Sequence, residues 1–132
     1  VEEKLVKIME LENGLVLKLF DVSKKIAADR WLVAFIARIE ILTDNFLTEK
    51  NFSLNVTADE IKKSLGSMVI FEKKDERNFI DEKKKDEVFK NLSLSYLNTS
   101  LSYLSHTDFS KKFILKKYKE YISKPYGMSY KK

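Results

Sequence analysis

The run Trp31-Leu32-Val33-Ala34-Phe35-Ile36-Ala37-Arg38-Ile39-Glu40-Ile41-Leu42 decides how the rest of the chain is read. Every odd position is apolar, from Trp31 through Val33, Phe35, Ala37 and Ile39 to Ile41. The even positions begin apolar (Leu32, Ala34, Ile36) and turn charged at Arg38 and Glu40. Side chains on a strand alternate faces, so this pattern buries one face throughout. Its first half, apolar on both sides, is expected to be covered on both, as in a central strand. A helix over the same residues would scatter Val33, Ile36 and Ala37 into its polar arc. A long strand is therefore the axis of the predicted fold.

Upstream, Glu3 to Glu12 and Leu15 to Phe20 each alternate and flank Asn13-Gly14. Asn-Gly supplies the positive φ that a two-residue hairpin turn needs. Such a loop would pair Glu12 with Leu15, Glu10 with Leu17 and Ile8 with Leu19. Asp21 to Lys25 reads as a polar connection, and Ile26 to Arg30 as the lead into the long strand. These three strands would form an antiparallel meander. Thr43-Asp44-Asn45 ends the long strand with turn residues.

Downstream, Phe52, Leu54 and Val56 alternate with polar residues and predict a fourth, short strand. Thr57-Ala58-Asp59-Glu60 reads as a capping box for a helix over Ala58 to Leu65 that stops at Gly66. Ile61 and Leu65 would face the core. Ser67 to Lys73, with Met68-Val69-Ile70-Phe71 at its centre, predicts a fifth strand, which ends in the charged run Glu72 to Arg77 as a solvated turn or strand end. Asp81 and Glu82 suit a helix start, where the macrodipole favours negative charge. Ser93-Leu94-Ser95-Tyr96-Leu97 recurs as Ser100-Leu101-Ser102-Tyr103-Leu104, which places Leu94, Leu97, Leu101 and Leu104 on one heptad-type seam. Val88, Leu92, Tyr96 and Tyr103 can also share a helical side. His106-Thr107-Asp108 breaks that helix and caps the next. There Phe109, Phe113, Ile114, Tyr118, Tyr121 and Ile122 form an apolar face opposite Lys112, Lys116 and Lys119.

The totals bound the class. The chain has 132 residues, 44% hydrophobic and 34% charged, which suits one folded domain rather than a disordered or membrane-embedded chain. No apolar run approaches the roughly 18 residues of a membrane span. Val1-Glu2-Glu3-Lys4 opens without an apolar core, so no secretory signal is expected in the sequence given. The absence of cysteine removes disulfides, thiolate zinc sites and thiol nucleophiles. From residue 107 onward, eight lysines stand against Asp108 and Glu120, a net of +6, whereas 17 basic and 18 acidic residues precede them. The basic character of the chain therefore belongs to its C-terminal end.

Candidate chemistry is sparse. The single histidine, His106, stands at a helix break and reads as a loop residue, since a catalytic base needs a positioned partner. The three glycines are isolated, so no Gly-rich phosphate loop exists. Acidic pairs such as Asp75-Glu76 and Asp81-Glu82 alternate with lysines, as on an exposed ion-paired face. Asp29, Arg30 and Trp31 form the most suggestive local set, an ion pair beside a large aromatic that could hold a ligand. The plainer reading is that Trp31 caps the core. Lys111, Lys112, Lys116 and Lys119, with Tyr126 beyond, could contact phosphates and stack on bases. Their plainer role is solvation of an outer helix face.

Asp21-Val22-Ser23, placed after a strand, resembles half of the Asp/Asn-x-Ser-x-x-Gly signature of PilZ domains, β-barrel modules that bind cyclic di-GMP. Ile26 stands where the glycine belongs, and no Arg-x-x-x-Arg pair precedes the motif. The resemblance covers three residues and implies only a β-rich regulatory module. Read from the residues alone, the same three close a strand with an Asx or Ser turn.

The sequence thus predicts an α+β chain: a mainly antiparallel sheet of about five strands, a short inserted helix and two C-terminal helices. It forms one domain over 1–124, with a flexible basic tail at 125–132. The expected function is that of a small non-enzymatic interaction module, cytoplasmic, without metal or cofactor, whose partner is a protein or its own copy. One alternative is nucleic-acid or other polyanion binding through the C-terminal lysines. The other is a small-ligand, PilZ-like sensor with its site at Asp29, Arg30 and Trp31. A membrane surface is the least favoured partner.

Overall fold

The computed structural model describes residues 2–44 and 58–123. The elements are β1 (Lys4–Glu10), β2 (Val16–Asp21), β3 (Lys24–Ala27), β4 (Arg30–Leu42), α1 (Ala58–Leu65), β5 (Met68–Asp81), a 3-10 turn (Glu82–Lys84), α2 (Lys85–Leu104) and α3 (Phe109–Ile122). The sheet has five strands in the order β1-β2-β4-β3, and β5 also pairs with β4. The α+β class, the antiparallel sheet, the inserted helix and the two C-terminal helices are as the sequence predicts. The expected strand at Phe52–Val56 lies outside the described residues, and β3 takes up part of the expected polar connection.

The β1–β2 hairpin forms, but in a different register. Glu10 faces Val16, and Leu11 N donates to Leu15 O at 2.8 Å. Gly14 N donates to Leu11 O at 2.9 Å, so the loop holds three residues rather than two. Gly14 sits at φ +89°, the left-handed residue that a three-residue hairpin loop requires. The register shifts again between Leu5 and Lys7, a bulge at Val6.

β3 continues β2 along the same side of β4. Asp21 faces Phe35 and Lys24 faces Leu32, so the register is kept across the break at Val22-Ser23. Within the break, the Ser23 hydroxyl accepts from Ala34 N at 3.0 Å, and Asp21 Oδ1 accepts from Ser23 N at 2.9 Å. The Asx turn expected at Asp21-Val22-Ser23 is present, set inside a long hairpin. Its tip, Ala28-Asp29, has Ala28 at φ +36° and carries none of the usual turn glycines.

Two compact units make up the chain: Val1–Ile39 with Glu72–His106, and Glu40–Phe71 with Thr107–Lys132. In the first, the odd face of β4 forms the core. Val33, Phe35, Ala37 and Ile39 are fully buried with Leu17 and Leu19 of β2. The Tyr96 ring of α2 lies 5.4 Å from that of Phe35. Burial raises the Tyr96 pKa, against the lowering effect of its hydrogen bond with Ser100.

α2 begins at Lys85 rather than at Asp81; Asp81 instead caps the 3-10 turn by accepting from Lys83 N at 3.0 Å. Both copies of the Ser-Leu-Ser-Tyr-Leu repeat lie on this one helix. The expected seam holds only in part: Leu92, Ser93, Leu97 and Leu104 are buried, whereas Leu94 and Tyr103 are exposed. Leu97 and Leu104, seven residues apart, both stay buried, so the buried side of the helix runs through Leu92, Ser93, Leu97 and Leu104 and leaves Leu94 out. The helix ends on Asn13, whose Nδ2 donates to Leu104 O at 2.8 Å and His106 O at 2.9 Å.

In the second unit, Ile41, Ile61, Val69, Phe109, Ile114 and Tyr118 are buried. Phe71 meets Phe109 and Phe113 edge-on at 5.4 and 5.6 Å. Gly66, at φ +83°, closes α1 with its N–H on Lys62 O at 2.8 Å. The capping residue expected at Thr57 lies outside the described residues. On α3, Tyr121 and Ile122 are exposed rather than part of the expected apolar face.

Candidate functional site

The first unit carries an open sheet face. Pairing Leu5 with Phe20, and Phe20 with Ile36, sets these three in one row across β1, β2 and β4. Ile8, Lys18 and Arg38 form the next row, and Glu10 and Val16 pair beyond it. Leu5, Ile8 and Val16 are 45%, 59% and 40% exposed, too much for residues of their kind on a covered sheet.

Arg38 organises this face. Its Nη2 reaches Glu3 Oε2 at 2.8 Å and its Nη1 reaches Glu3 Oε1 at 3.1 Å, a bidentate pair. Its Nε donates to Glu72 Oε2 at 2.6 Å, and the guanidinium carbon lies 4.7 Å from the Phe20 ring centre. The hydrogen bonds that Arg38 donates to Glu3 and then to Glu72 raise the Arg38 pKa further, and the bond to Glu3 holds that carboxyl below the ordinary carboxylate value. The alternation predicts Arg38 on the exposed face, and the fifth strand is expected to end within the charged run Glu72 to Arg77, in a solvated turn or strand end. The charged run instead continues as strand to Asp81. Charged side chains keep this outer strand from pairing with foreign edges, and Glu72 has a specific role within it.

Asp29 and Arg30 form the expected ion pair, but Trp31 is engaged elsewhere. Trp31 Nε1 donates to Glu82 Oε1 at 3.0 Å, and Lys85 Nζ lies 4.8 Å from the Trp31 ring centre. The hydrogen bond from Trp31, followed by the charge of Lys25 at 3.6 Å, lowers the Glu82 pKa. Arg30 alternates away from Trp31 along the strand. It pairs with Asp29 at 3.4 Å and Asp81 at 3.6 Å and lies 5.6 Å from the Phe79 ring. Trp31 instead lines a cleft of about 260 Å³ with Asp21, Ser23 and Phe89. Glu2, Lys4, Lys85 and Asp86 complete the lining. No single stretch of sequence announces this cleft, because four separate segments meet there.

The C-terminal lysines divide. Lys112, Lys116 and Lys119 are exposed and lie three and four residues apart on α3. None of them makes an ion pair among the described residues, whereas Lys111 approaches Asp108 at 3.9 Å. Tyr126 lies outside the described residues. His106 is exposed, and its carbonyl serves the Asn13 cap. Among the described residues, no group of three or more His, Cys, Asp or Glu could hold a metal. Among them also, no helix is long and apolar enough to cross a membrane. Comparison with known protein families, with curated proteins and with solved structures finds no match to this chain.

Proposed function

We propose that this chain is a small non-enzymatic interaction module that pairs with a second copy of itself through the open face of β1, β2 and β4. The observation that carries this reading is the exposure of Leu5, Ile8 and Val16 around the Arg38 cluster. Exposed apolar groups grouped on one surface and rimmed by polar ones are what association surfaces present. The charges favour a like partner. Lys18 and Arg38 stand among Glu3, Glu10 and Glu72, so both signs are interleaved on one face. Such a surface can meet its own copy about a two-fold axis, each sign facing its opposite. A cytoplasmic setting belongs to the same proposal, in keeping with a chain that has no cysteine.

The test is substitution on the face, read by light scattering. Ile8→Glu is expected to give a monomer under conditions where the parent chain is a dimer. Tyr103→Glu, on the exposed side of α2, is expected to leave the dimer intact. A dimer that survives Ile8→Glu would overturn the proposed surface.

One observation favours a second reading, polyanion binding by α3: the exposed stripe of Lys112, Lys116 and Lys119, which makes no ion pair among the described residues. It predicts binding of single-stranded nucleic acid that weakens steeply with salt and is lost when all three lysines become Glu. Binding unaffected by that change would remove this reading.

A further inference from the structure

The cleft at Trp31 already holds a cation. The Lys85 ammonium sits 4.8 Å from the centre of the Trp31 ring and 3.1 Å from Asp86 Oδ1. An ammonium over an indole face with a carboxylate beside it is how a cation-binding pocket is built. Here the bound cation belongs to the protein itself. Of the other charged lining residues, Glu2, Asp21 and the solvent-facing Asp86 are acidic and Lys4 is basic. Asp21 spends one oxygen on Ser23 N and makes no ion pair among the described residues. Phe89 adds a second aromatic wall. The Trp31 ring is fixed in place by its own hydrogen bond to Glu82. The space, about 260 Å³, suits a small ligand rather than a folded partner.

We propose that this cleft binds a primary ammonium group from outside the chain, and that Lys85 occupies the position that the guest ammonium takes. The guest would lie on Trp31 near Asp86 and Asp21, while Lys85, on a flexible four-carbon stem, swings out to solvent. Lys85 then acts as a built-in competitor, and the apparent affinity of the guest is reduced by the fraction of time that Lys85 fills the site. The sign of one substitution follows. Removing the Lys85 charge strengthens guest binding, whereas the same change in an anion site would abolish it. A free polyamine and a lysine side chain of a peptide share this chemistry. The proposal stands apart from the dimer surface, since none of its residues lies in the rows built on Leu5 and Ile8.

Trp31 is the only tryptophan, so its fluorescence reports the site directly. The experiment titrates the full chain with spermidine, with the amide of N-acetyl-lysine and with inorganic phosphate, at matched ionic strength. A saturable change in emission with an amine and none with phosphate is expected. The source is identified by whichever amine saturates at lower concentration. Lys85→Met, which keeps the stem and loses the charge, should bind the amine several-fold tighter, and Asp21→Asn several-fold weaker. Lys85→Gln serves as the second variant if Lys85→Met does not fold by circular dichroism. No saturable amine response in either the parent or the Lys85 variant would overturn the proposal. So would a phosphate response that disappears with Lys85.

Discussion

Asn13 has two jobs, only one of which is visible in its neighbours. As part of Asn-Gly it shapes the hairpin loop, where its Oδ1 accepts from Leu15 N at 3.1 Å. Its Nδ2 also satisfies Leu104 O and His106 O at the end of α2, carbonyls that a helix leaves without partners. Asn13→Asp keeps the turn preference and the acceptor but removes the donor. It is expected to destabilise the fold by about 1–2 kcal/mol, as measured by urea denaturation. A neutral result would mean that the turn alone matters. Ala28 makes the opposite case. Its φ of +36° is strained for any residue with a Cβ. Ala28→Gly should therefore raise stability, by up to about 1 kcal/mol in the same measurement. These two residues also mark where local reading stops. The Asn13 cap joins residues 91 apart in sequence, which no local pattern encodes. The β3–β4 turn was missed because Ala28 occupies a position that normally advertises itself with Gly or Asn.

At the scale of elements, β4 was legible because burial follows its alternation residue by residue. Val33, Phe35, Ala37, Ile39 and Ile41 are all buried. The full length of β5 was not legible. Glu72 to Arg77 has no apolar alternation, and its strand character comes from pairing with β4 and from Glu72 meeting Arg38. On α2 the seam holds only at Leu97 and Leu104, because a repeat sets the spacing of its leucines but not which side of the helix is buried, and Leu94 is exposed. The Arg38 cluster joins Glu3, just before β1, to β4 and β5 by charge, so its contribution depends on pH. Folding lowers the Glu3 pKa, chiefly through the Arg38 hydrogen bond. A group so lowered adds stability above its unfolded pKa, and loses it as pH falls through the folded value. Glu3→Gln should therefore be less stable than the parent near neutral pH, and the difference should shrink as pH falls through the carboxylate range. Urea midpoints across that range check it. A gap that stays constant with pH would mean that the Glu3 carboxylate contributes through packing and not through charge.

At the scale of the whole molecule, α2 packs on one face of the first unit's sheet, and on the other Leu5, Ile8 and Val16 stay exposed. The sequence showed which residues of β4 point each way. It did not show that the far face would stay open around Leu5 and Ile8, because that depends on where the helices dock. The candidate surface was therefore only half legible: Arg38 could be placed on the outer face, but its partners and its apolar surroundings could not. The same holds for the Trp31 cleft, where the aromatic was singled out but its company was not Asp29 and Arg30. The most direct test of the account is sedimentation equilibrium of the parent chain over a wide concentration range. The account predicts a mass that rises from 15.5 kDa toward twice that value and stops there, as a closed two-fold pair must. A mass that stays at 15.5 kDa at every concentration, or one that climbs without limit, would contradict it.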